Sequence, residues 1–153
     1  MLLLRHASAG ERLSSPGVDR FRPLDDAGRV VARQLVWSLA DLEITRIVSS
    51  PLARCVESVV PLAASRGLVV ESHWELGPDV SLDDLLILLV DLPDTTVVCT
   101  HREVFELLLG WEAVCDKGAG WVLERNGAEL VPTLYIPPPA PVVTTEKYAA
   151  RTV

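Results

Sequence analysis

Two histidines and two arginines stand at or just after the ends of apolar, strand-like segments of this sequence: Arg5, His6, Arg54 and His101. The carboxyl ends of parallel strands meet at one edge of a sheet, and the N-termini of the following helices point to the same edge. We therefore expect these four side chains to converge. Guanidinium groups bind phosphate oxygens through a planar fork, and helix N-termini add backbone donors. The pattern predicts a phosphate-binding site.

His6 is the residue in this set that is suited to covalent chemistry. Its cationic form is disfavoured beside two guanidinium groups, so we expect a neutral, nucleophilic imidazole near pH 7. Such an imidazole can attack phosphorus and carry the phosphoryl group transiently, while the arginines and the second histidine stabilise charge on the remaining oxygens. The small residues at 7–10 (ASAG) leave room for a substrate to approach.

An α/β fold would bring these positions together. Short apolar runs predict strands, and amphipathic stretches between them predict helices. The strands are expected at residues 1–5, 46–50, 68–72 and 95–100. Their alternation with helices predicts a three-layer sandwich with a mostly parallel sheet and helices on both faces. The segment 120–136, centred on Asn126-Gly127, predicts a hairpin.

Four segments carry the signals of a helix start. The stretch after Asp25 has an inward stripe at every fourth position: Ala27, Val31, Leu35 and Leu39. Ser50-Pro51 predicts a second helix with serine as the N-cap, kinked or split at Pro61. Ser81 and Thr100 each open a capping box, and the latter places His101 at the first helical position. Residues 7–24 and 73–80 are expected to be loops.

Composition limits the classes of function. The chain has 153 residues and a net charge of −7, so we expect one domain that binds neither nucleic acid nor membranes. Its three cysteines form no C-x-x-C pair, and no set of ligands has metal spacing, so no metal is expected. The N-terminus does not have the pattern of a signal peptide, which predicts a cytoplasmic protein. The domain is expected to span residues 1–136, followed by a Pro-rich tail at 137–153.

The large aromatic residues give a further expectation. The four tryptophans are predicted to lie in the core or at its edge rather than to form a binding platform: Trp37, Trp74, Trp111 and Trp121.

Four segments, in order along the chain, resemble the motifs of the histidine phosphatase superfamily, which has the phosphoglycerate-mutase-like fold. The segments are LLLRHASAG, FRPLDDAGRVVARQL, IVSSPLARCVES (with Ser58 where the family has threonine) and VVCTHREVFELL. The sequence looks most similar to two small bacterial groups. These are the SixA-type phosphohistidine phosphatases and the phosphatase domain appended to some actinobacterial MutT-type Nudix hydrolases.

The resemblance implies a role for each matching residue. His6 would be the phosphorylated nucleophile, and Arg5, Arg54 and His101 would complete the phosphate pocket. Arg22 and Ser8 would be further substrate-binding residues, with Arg22 near the mouth of the pocket. The family needs no cofactor. The substrate would be phosphohistidine on a protein or a small phosphomonoester.

The general acid is the point at which the sequence departs from larger family members. They carry an acidic residue in a long insertion after the third strand, whereas residues 73–80 are short and offer only Glu75 and Asp79. Asp79 is nearer to the expected position. The imidazole of a phosphohistidine substrate is a good leaving group and departs readily without an acid. An open pocket also suits a phosphoryl group carried on a protein. The alternative is a phosphate- or nucleotide-binding regulatory module with little turnover, and a mutase is disfavoured because its site must be closed.

Overall fold

The computed structural model describes residues 1–113 and 115–140 of the chain. The strands are β1 (Leu2–Arg5), β2 (Arg46–Ser49), β3 (Val70–Ser72), β4 (Thr96–Thr100), β5 (Gly120–Asn126) and β6 (Glu129–Ile136). The helices are α1 (Pro16–Asp19), α2 (Asp26–Ser38), α3 (Ala53–Arg66), α4 (Leu82–Val90) and α5 (Arg102–Leu109). Short 3₁₀ turns occur at Trp74–Leu76 and Trp111–Ala113.

The strands form one six-stranded sheet in the order β3-β2-β4-β1-β5-β6. β3, β2, β4 and β1 pair in parallel, whereas β5 runs antiparallel to both β1 and β6. The predicted α/β fold with a mostly parallel sheet is confirmed. The predicted hairpin is β5 and β6, and Gly127 in its turn has a φ of +63°, a backbone conformation that favours glycine.

Each face of the sheet has its own core because successive side chains of a strand point to opposite faces. Leu3 belongs to the cluster covered by α4 and α5, with Leu85 and Phe105. Leu2 and Leu4 belong to the cluster covered by α2 and α3. Because helices cover both faces, the strand ends are the place that this architecture leaves for a site.

Two predicted helix starts are wrong by one to two residues. In both cases the hydroxyl group that was expected to cap the helix binds another residue instead. α3 begins at Ala53 with Leu52 as its N-cap, and the Ser50 hydroxyl instead lies 2.8 Å from Nε2 of His101. α5 begins at Arg102 with His101 as its N-cap. The Thr100 hydroxyl, predicted to cap that helix, donates to the Leu76 carbonyl at 2.7 Å.

The helix starts predicted after Asp25 and at Ser81 are confirmed. The Asp25 carboxylate accepts a hydrogen bond from the Gly28 amide at 2.7 Å, and the Ser81 hydroxyl accepts one from the Asp84 amide at 3.2 Å. The inward stripe of α2 differs from the predicted one at its start. Gly28, rather than Ala27, is buried, because its α-carbon lies so close to the Ser8 carbonyl that a side chain there would overlap it.

Three segments also differ from the sequence-based expectation. α3 continues through Pro61 without interruption from Ala53 to Arg66. The predicted loop 7–24 contains α1, a four-residue helix with proline in its first turn, which is a favourable place for that residue. The predicted loop 73–80 contains the 3₁₀ turn at Trp74–Leu76.

The prediction for the tryptophans is wrong for three of them. Trp37, Trp74 and Trp111 are 79%, 65% and 73% exposed, respectively. Trp121 is half-buried beside the Tyr135 ring, and its indole N–H donates to the Ala113 carbonyl at 2.9 Å. Both core clusters are instead built mainly from leucine and valine, which leaves the larger rings outside.

The C-terminal part is described as far as residue 140. β6 ends at Ile136, and residues 137–140 follow it outside any helix or strand. Most of the predicted Pro-rich tail, residues 141–153, lies outside the described residues. None of the helices that the structure describes has the length and apolar character that crossing a membrane requires.

Candidate active site

His6 and His101 meet because β1 and β4 are parallel neighbours in a matching register. Arg5 pairs with Thr100, so the residue after each strand end is a histidine. The His6 amide continues the ladder by donating to the Thr100 carbonyl at 3.1 Å. The two imidazole rings pack edge to face, with their centroids 5.4 Å apart. The predicted convergence of the histidines is therefore a direct result of strand pairing.

The hydrogen bond of His6 determines which of its nitrogens can react. Nδ1 lies 2.8 Å from the Ala7 carbonyl oxygen, which can only accept a hydrogen bond, so Nδ1 carries the proton. Nε2 of the neutral ring then holds the free electron pair. Burial lowers the pKa of His6 to about 4, and the positive charges of Arg54 and Arg5 act in the same direction. The ring is therefore neutral and nucleophilic near pH 7.

His101 is buried more deeply than His6. It is 1% exposed, and its Nε2 lies 2.8 Å from the Ser50 hydroxyl and 3.4 Å from the Cys55 sulfur. Burial lowers its pKa to about 2, and the neighbouring His6 and Arg54 contribute to that shift. His101 can therefore offer hydrogen bonding at neutral pH, but it does not add a positive charge to the pocket.

Arg54 and Arg5 supply the positive charge of the pocket. Arg54 is 2% exposed, and its Nη1 donates to the Asp19 carbonyl at 3.2 Å. Arg5 Nη1 donates to the Cys115 carbonyl at 2.6 Å. The buried Nε of each guanidinium has no hydrogen-bond partner among the residues that the structure describes. Since a buried donor without a partner is destabilising by about 1–3 kcal/mol, both nitrogens favour an oxyanion in this pocket.

Asp19 is a central residue that the sequence did not indicate. It is 6% exposed, and one carboxylate oxygen accepts from Nε of Arg22 at 2.8 Å while the other lies 3.4 Å from Nη1 of Arg54. The hydrogen bond from Arg22 is the largest of the effects that lower the pKa of Asp19 to about 2. Asp19 thus remains ionised and positions both arginines.

Arg22 and Ser8 hold the loop of small residues that follows His6. Arg22 Nη1 donates to the Ala9 carbonyl at 2.9 Å and lies 3.2 Å from the Gly10 carbonyl. The Ser8 hydroxyl donates to the Asp25 carboxylate at 2.6 Å. The predicted substrate contacts of Arg22 and Ser8 stay predictions, and in this structure both side chains bind the protein itself.

A cleft of about 1070 Å³ opens from the buried charges toward solvent. Asp19 and Arg54 form part of its wall, and both carboxylates that were predicted as general acids, Glu75 and Asp79, also line it. Neither histidine is part of this wall. Arg54 is therefore the group that the open cleft and the buried histidine pair share.

Comparison with known proteins gives this arrangement a family. Residues 1–77 match the sequence profile of the histidine phosphatase superfamily (branch 1), which is half of the chain. The chain belongs to the histidine phosphatase superfamily. The family that the four sequence motifs predicted is confirmed.

One curated relative is longer than this chain. An 8-oxo-(d)GTP phosphatase of Mycolicibacterium smegmatis is 30% identical over 157 residues, covering 91% of this chain and 48% of that protein. The chain thus spans about half the length of this curated relative.

Solved structures agree with the fold. The protein histidine phosphatase SixA complexed with tungstate aligns with a TM-score of 0.73 and 20% identity over 90% of this chain and 96% of that one. A mycobacterial glucosyl-3-phosphoglycerate phosphatase complexed with VO3 aligns with a TM-score of 0.67 and 18% identity, over 90% and 98% of the two chains. The predicted phosphoglycerate-mutase-like fold is confirmed.

Six of the eight predicted site residues lie in two adjoining groups. Four surround the buried pocket, at the strand ends and on α3: Arg5, His6, Arg54 and His101. Asp79 and Glu75 line the cleft, whereas Arg22 and Ser8 support the loop. Asp19 was missed because a carboxylate in a polar loop gives no sign of being buried, although its spacing of three from Arg22 allows an ion pair.

Proposed function

We propose that this chain is a phosphatase that works through a phosphorylated His6. In the first step, Nε2 of His6 forms a bond to phosphorus, and the bond between phosphorus and the leaving group breaks. In the second, water attacks phosphorus, the N–P bond breaks and inorganic phosphate is released. The observation that carries this proposal is the hydrogen bond from Nδ1 to the Ala7 carbonyl, which leaves Nε2 free to act as the nucleophile.

We assign the neighbouring groups to the charge that develops on the transferred phosphoryl group. The free Nε–H groups of Arg5 and Arg54 are donors for its equatorial oxygens. His101, neutral and adjacent to His6, donates a hydrogen bond to another oxygen. The donors are held in place before the substrate binds, since Asp19 and the Cys115 carbonyl fix the two guanidinium groups.

The proposed leaving-group acid is Asp79, with Glu75 as the other candidate. Both line the cleft that Arg54 shares with the buried pocket. Protonation of the leaving oxygen speeds departure of a poor leaving group, such as an alkoxide. A phosphohistidine needs less help because imidazole leaves readily. The substrate is accordingly proposed as phosphohistidine on a protein or a small phosphomonoester.

A panel of phosphosubstrates, including a phosphohistidine protein, tests the reaction. We expect the wild type to hydrolyse at least one class and to take up an acid-labile phosphoryl label. The His6→Ala variant should lose the label and at least about 10³-fold in kcat, as expected when a nucleophile is removed. Tungstate, the anion bound in the SixA structure, serves as the folding control: it should raise the Tm of both proteins.

Two outcomes would contradict the proposal. Turnover that survives in His6→Ala would exclude His6 as the nucleophile. Stabilisation by tungstate with no label and no turnover on any substrate would instead support the binding module that was the alternative reading of the sequence.

A further inference from the structure

Trp74 is an exposed aromatic residue in the wall of the cleft. Its side chain is 65% exposed and lies in the 3₁₀ turn that follows β3. Exposed tryptophans occur elsewhere on this protein, at Trp37 and Trp111, but neither lines the cleft. A ligand that covers a large exposed ring removes its apolar surface from water, which favours binding.

Arg20 reaches Trp74 from a different segment of the chain. Its guanidinium carbon lies 5.7 Å from the Trp74 ring centroid and 4.8 Å from the ring of Phe21. Arg20 is exposed and lines the same cleft as Trp74. An indole and a guanidinium plane both stack on planar aromatic groups, so this pair presents two such surfaces to the cleft.

The size of the cleft leaves space beyond the phosphoryl group. About 1070 Å³ is at the upper end of the range for pockets that bind small molecules, whereas a phosphoryl group fills only a small part of it. Arg54 and Asp19 are buried residues of its wall, and the charge of Arg54 also acts on the buried His6. Trp74 and Arg20 line the same cleft and are exposed, so they are available to the leaving group.

The charges of the cleft limit how many phosphates a ligand can carry. Three carboxylates in its wall have no arginine bound to them among residues 1–113 and 115–140: Glu75, Asp79 and Asp84. Of the exposed arginines in the wall, Arg12 is already paired with Glu103 at 2.8 Å, and Arg20 lies against the rings of Phe21 and Trp74. A second or third phosphate would face these carboxylates, so the wall favours a single phosphate with a neutral leaving group.

We propose that Trp74 and Arg20 form a stacking subsite for a planar aromatic ring in the leaving group, and that the preferred substrates are nucleoside monophosphates. This inference rests on the proposed phosphatase function and narrows its substrate class. Trp74 binds the base, Arg54 binds the phosphate, and the sugar spans the cleft between them.

Adenosine 5′-monophosphate and ribose 5-phosphate test the subsite, because they share the same phosphoester and differ in the base. We expect the wild type to prefer adenosine 5′-monophosphate at least tenfold in kcat/KM. Trp74→Ala should lower kcat/KM for it by about five- to a hundredfold, the range for loss of one base stack, with the change mainly in KM. The same variant should alter kcat/KM for ribose 5-phosphate less than twofold, and Trp74→Phe should restore most of the loss.

Trp111→Ala is the matched control. Trp111 is 73% exposed and also has an arginine beside it, with the Arg102 guanidinium carbon 6.0 Å from its ring, but it lies outside the cleft wall. This variant should leave kcat/KM unchanged for both substrates. The subsite would be overturned if Trp111→Ala lowered kcat/KM for adenosine 5′-monophosphate as much as Trp74→Ala does. It would also be overturned if Trp74→Ala lowered kcat/KM equally for both substrates.

Binding of adenosine separates failure of the subsite from failure of the phosphatase. If the wild type hydrolyses nothing in the phosphosubstrate panel, the proposed function fails, yet saturation-transfer NMR should still detect adenosine in the wild type and lose it in Trp74→Ala. If adenosine does not bind, the subsite is refuted whatever the turnover. Hydrolysis of a phosphohistidine protein that falls with Trp74→Ala while adenosine 5′-monophosphate remains untouched would also overturn it, in favour of a protein substrate.

Discussion

The buried pocket at the inner end of the site and the open cleft at its outer end differ in how firmly their side chains are held. At the inner end, His6, Arg54 and His101 are 7%, 2% and 1% exposed, and backbone carbonyls or buried side chains bind each of them. At the outer end, Trp74 is 65% exposed, and the Arg20 guanidinium lies against the exposed rings of Phe21 and Trp74. The inner groups are therefore fixed before a ligand arrives, whereas the outer groups can adjust to it.

This difference follows from the elements that carry the two sets. The histidines are positioned by the register of β1 and β4, and Arg54 lies in the first turn of α3. Arg20 and Trp74 lie at the end of a four-residue helix and in a 3₁₀ turn. Strand register can hardly change without refolding the sheet, while such connecting segments change easily. The inner end thus fits a reaction shared by a family, and the outer end fits a selectivity that varies within it.

Replacing the inner arginine, Arg54, should cause the largest loss of activity. In Arg54→Lys, the positive charge beside Asp19 remains, but the planar fork and its free Nε–H are lost. We expect kcat/KM to fall by about 10²- to 10³-fold on every accepted substrate. Arg20→Lys at the outer end should lower kcat/KM by less than about fivefold, since the Arg20 guanidinium stacks on aromatic rings. Equal losses in the two variants would mean that the ends do not differ in this way.

Substitution of the two carboxylates that line the cleft, Asp79 and Glu75, would show which of them protonates the leaving group. We expect Asp79→Asn to lower kcat for an alkyl phosphate about 100-fold, because the alkoxide then leaves without a proton. The effect on 4-nitrophenyl phosphate, whose leaving group is good, should be less than about threefold. Glu75→Gln is the matched comparison, and the variant that changes the ratio between the two substrates identifies the acid. An unchanged ratio in both variants would show that neither carboxylate supplies the proton.

The buried histidines should also make stability depend on pH. The unfolded chain protonates His6 near pH 6.5, but the folded chain does so only near pH 4. Unfolding therefore takes up a proton between these values, so stability is complete above pH 6.5 and decreases as the pH falls toward 4. The pKa of His101, about 2, extends the same effect to lower pH.

Urea unfolding at pH 7 and pH 4 would measure this contribution. The wild type should lose about 3 kcal/mol more than His6→Asn over that interval, from 1.36 kcal/mol for each pKa unit of the difference at His6. Identical losses in the two proteins would show that the folded state does not hold His6 in its neutral form.

The exposed ion pair at the mouth should give the smallest effect. Arg12 and Glu103 lie 2.8 Å apart, with side chains 65% and 39% exposed. Water and salt screen such a pair, so Arg12→Ala should change the free energy of unfolding by less than about 1 kcal/mol. We also expect kcat/KM to change less than about threefold. A loss as large as that of Arg54→Lys would place Arg12 with the inner groups.

The same distinction explains which parts of the site could be predicted from sequence. Arg5 and His6 directly follow an apolar run, so strand geometry placed them at the sheet edge, and strand pairing then placed His101 beside them. Ser50 could not be assigned correctly, because its role as a cap was the local expectation and its contact with His101 spans distant residues. Asp19 was missed for the same reason: its burial depends on Arg54, which is 35 positions away.

The tryptophans illustrate the opposite failure. Hydrophobicity alone favours burial, but Trp37 faces solvent on α2 because Leu35 and Leu39 already fill the space beneath the helix. Residue type therefore predicts burial on a helix only where it is also known which face of the helix the residue occupies. For Trp74, in a short turn with no repeating phase, sequence offers no basis for choosing a side.

Asp25 joins helix α2 to the loop that follows His6. One of its carboxylate oxygens accepts the Gly28 amide of the first helical turn, while the other accepts the Ser8 hydroxyl and the Gly10 amide. Fraying of that turn would release the loop, and movement of the loop would uncap the helix. The two segments should therefore open as a single cooperative unit, so that the amides of Gly10 and Gly28 exchange their hydrogens with the same opening free energy.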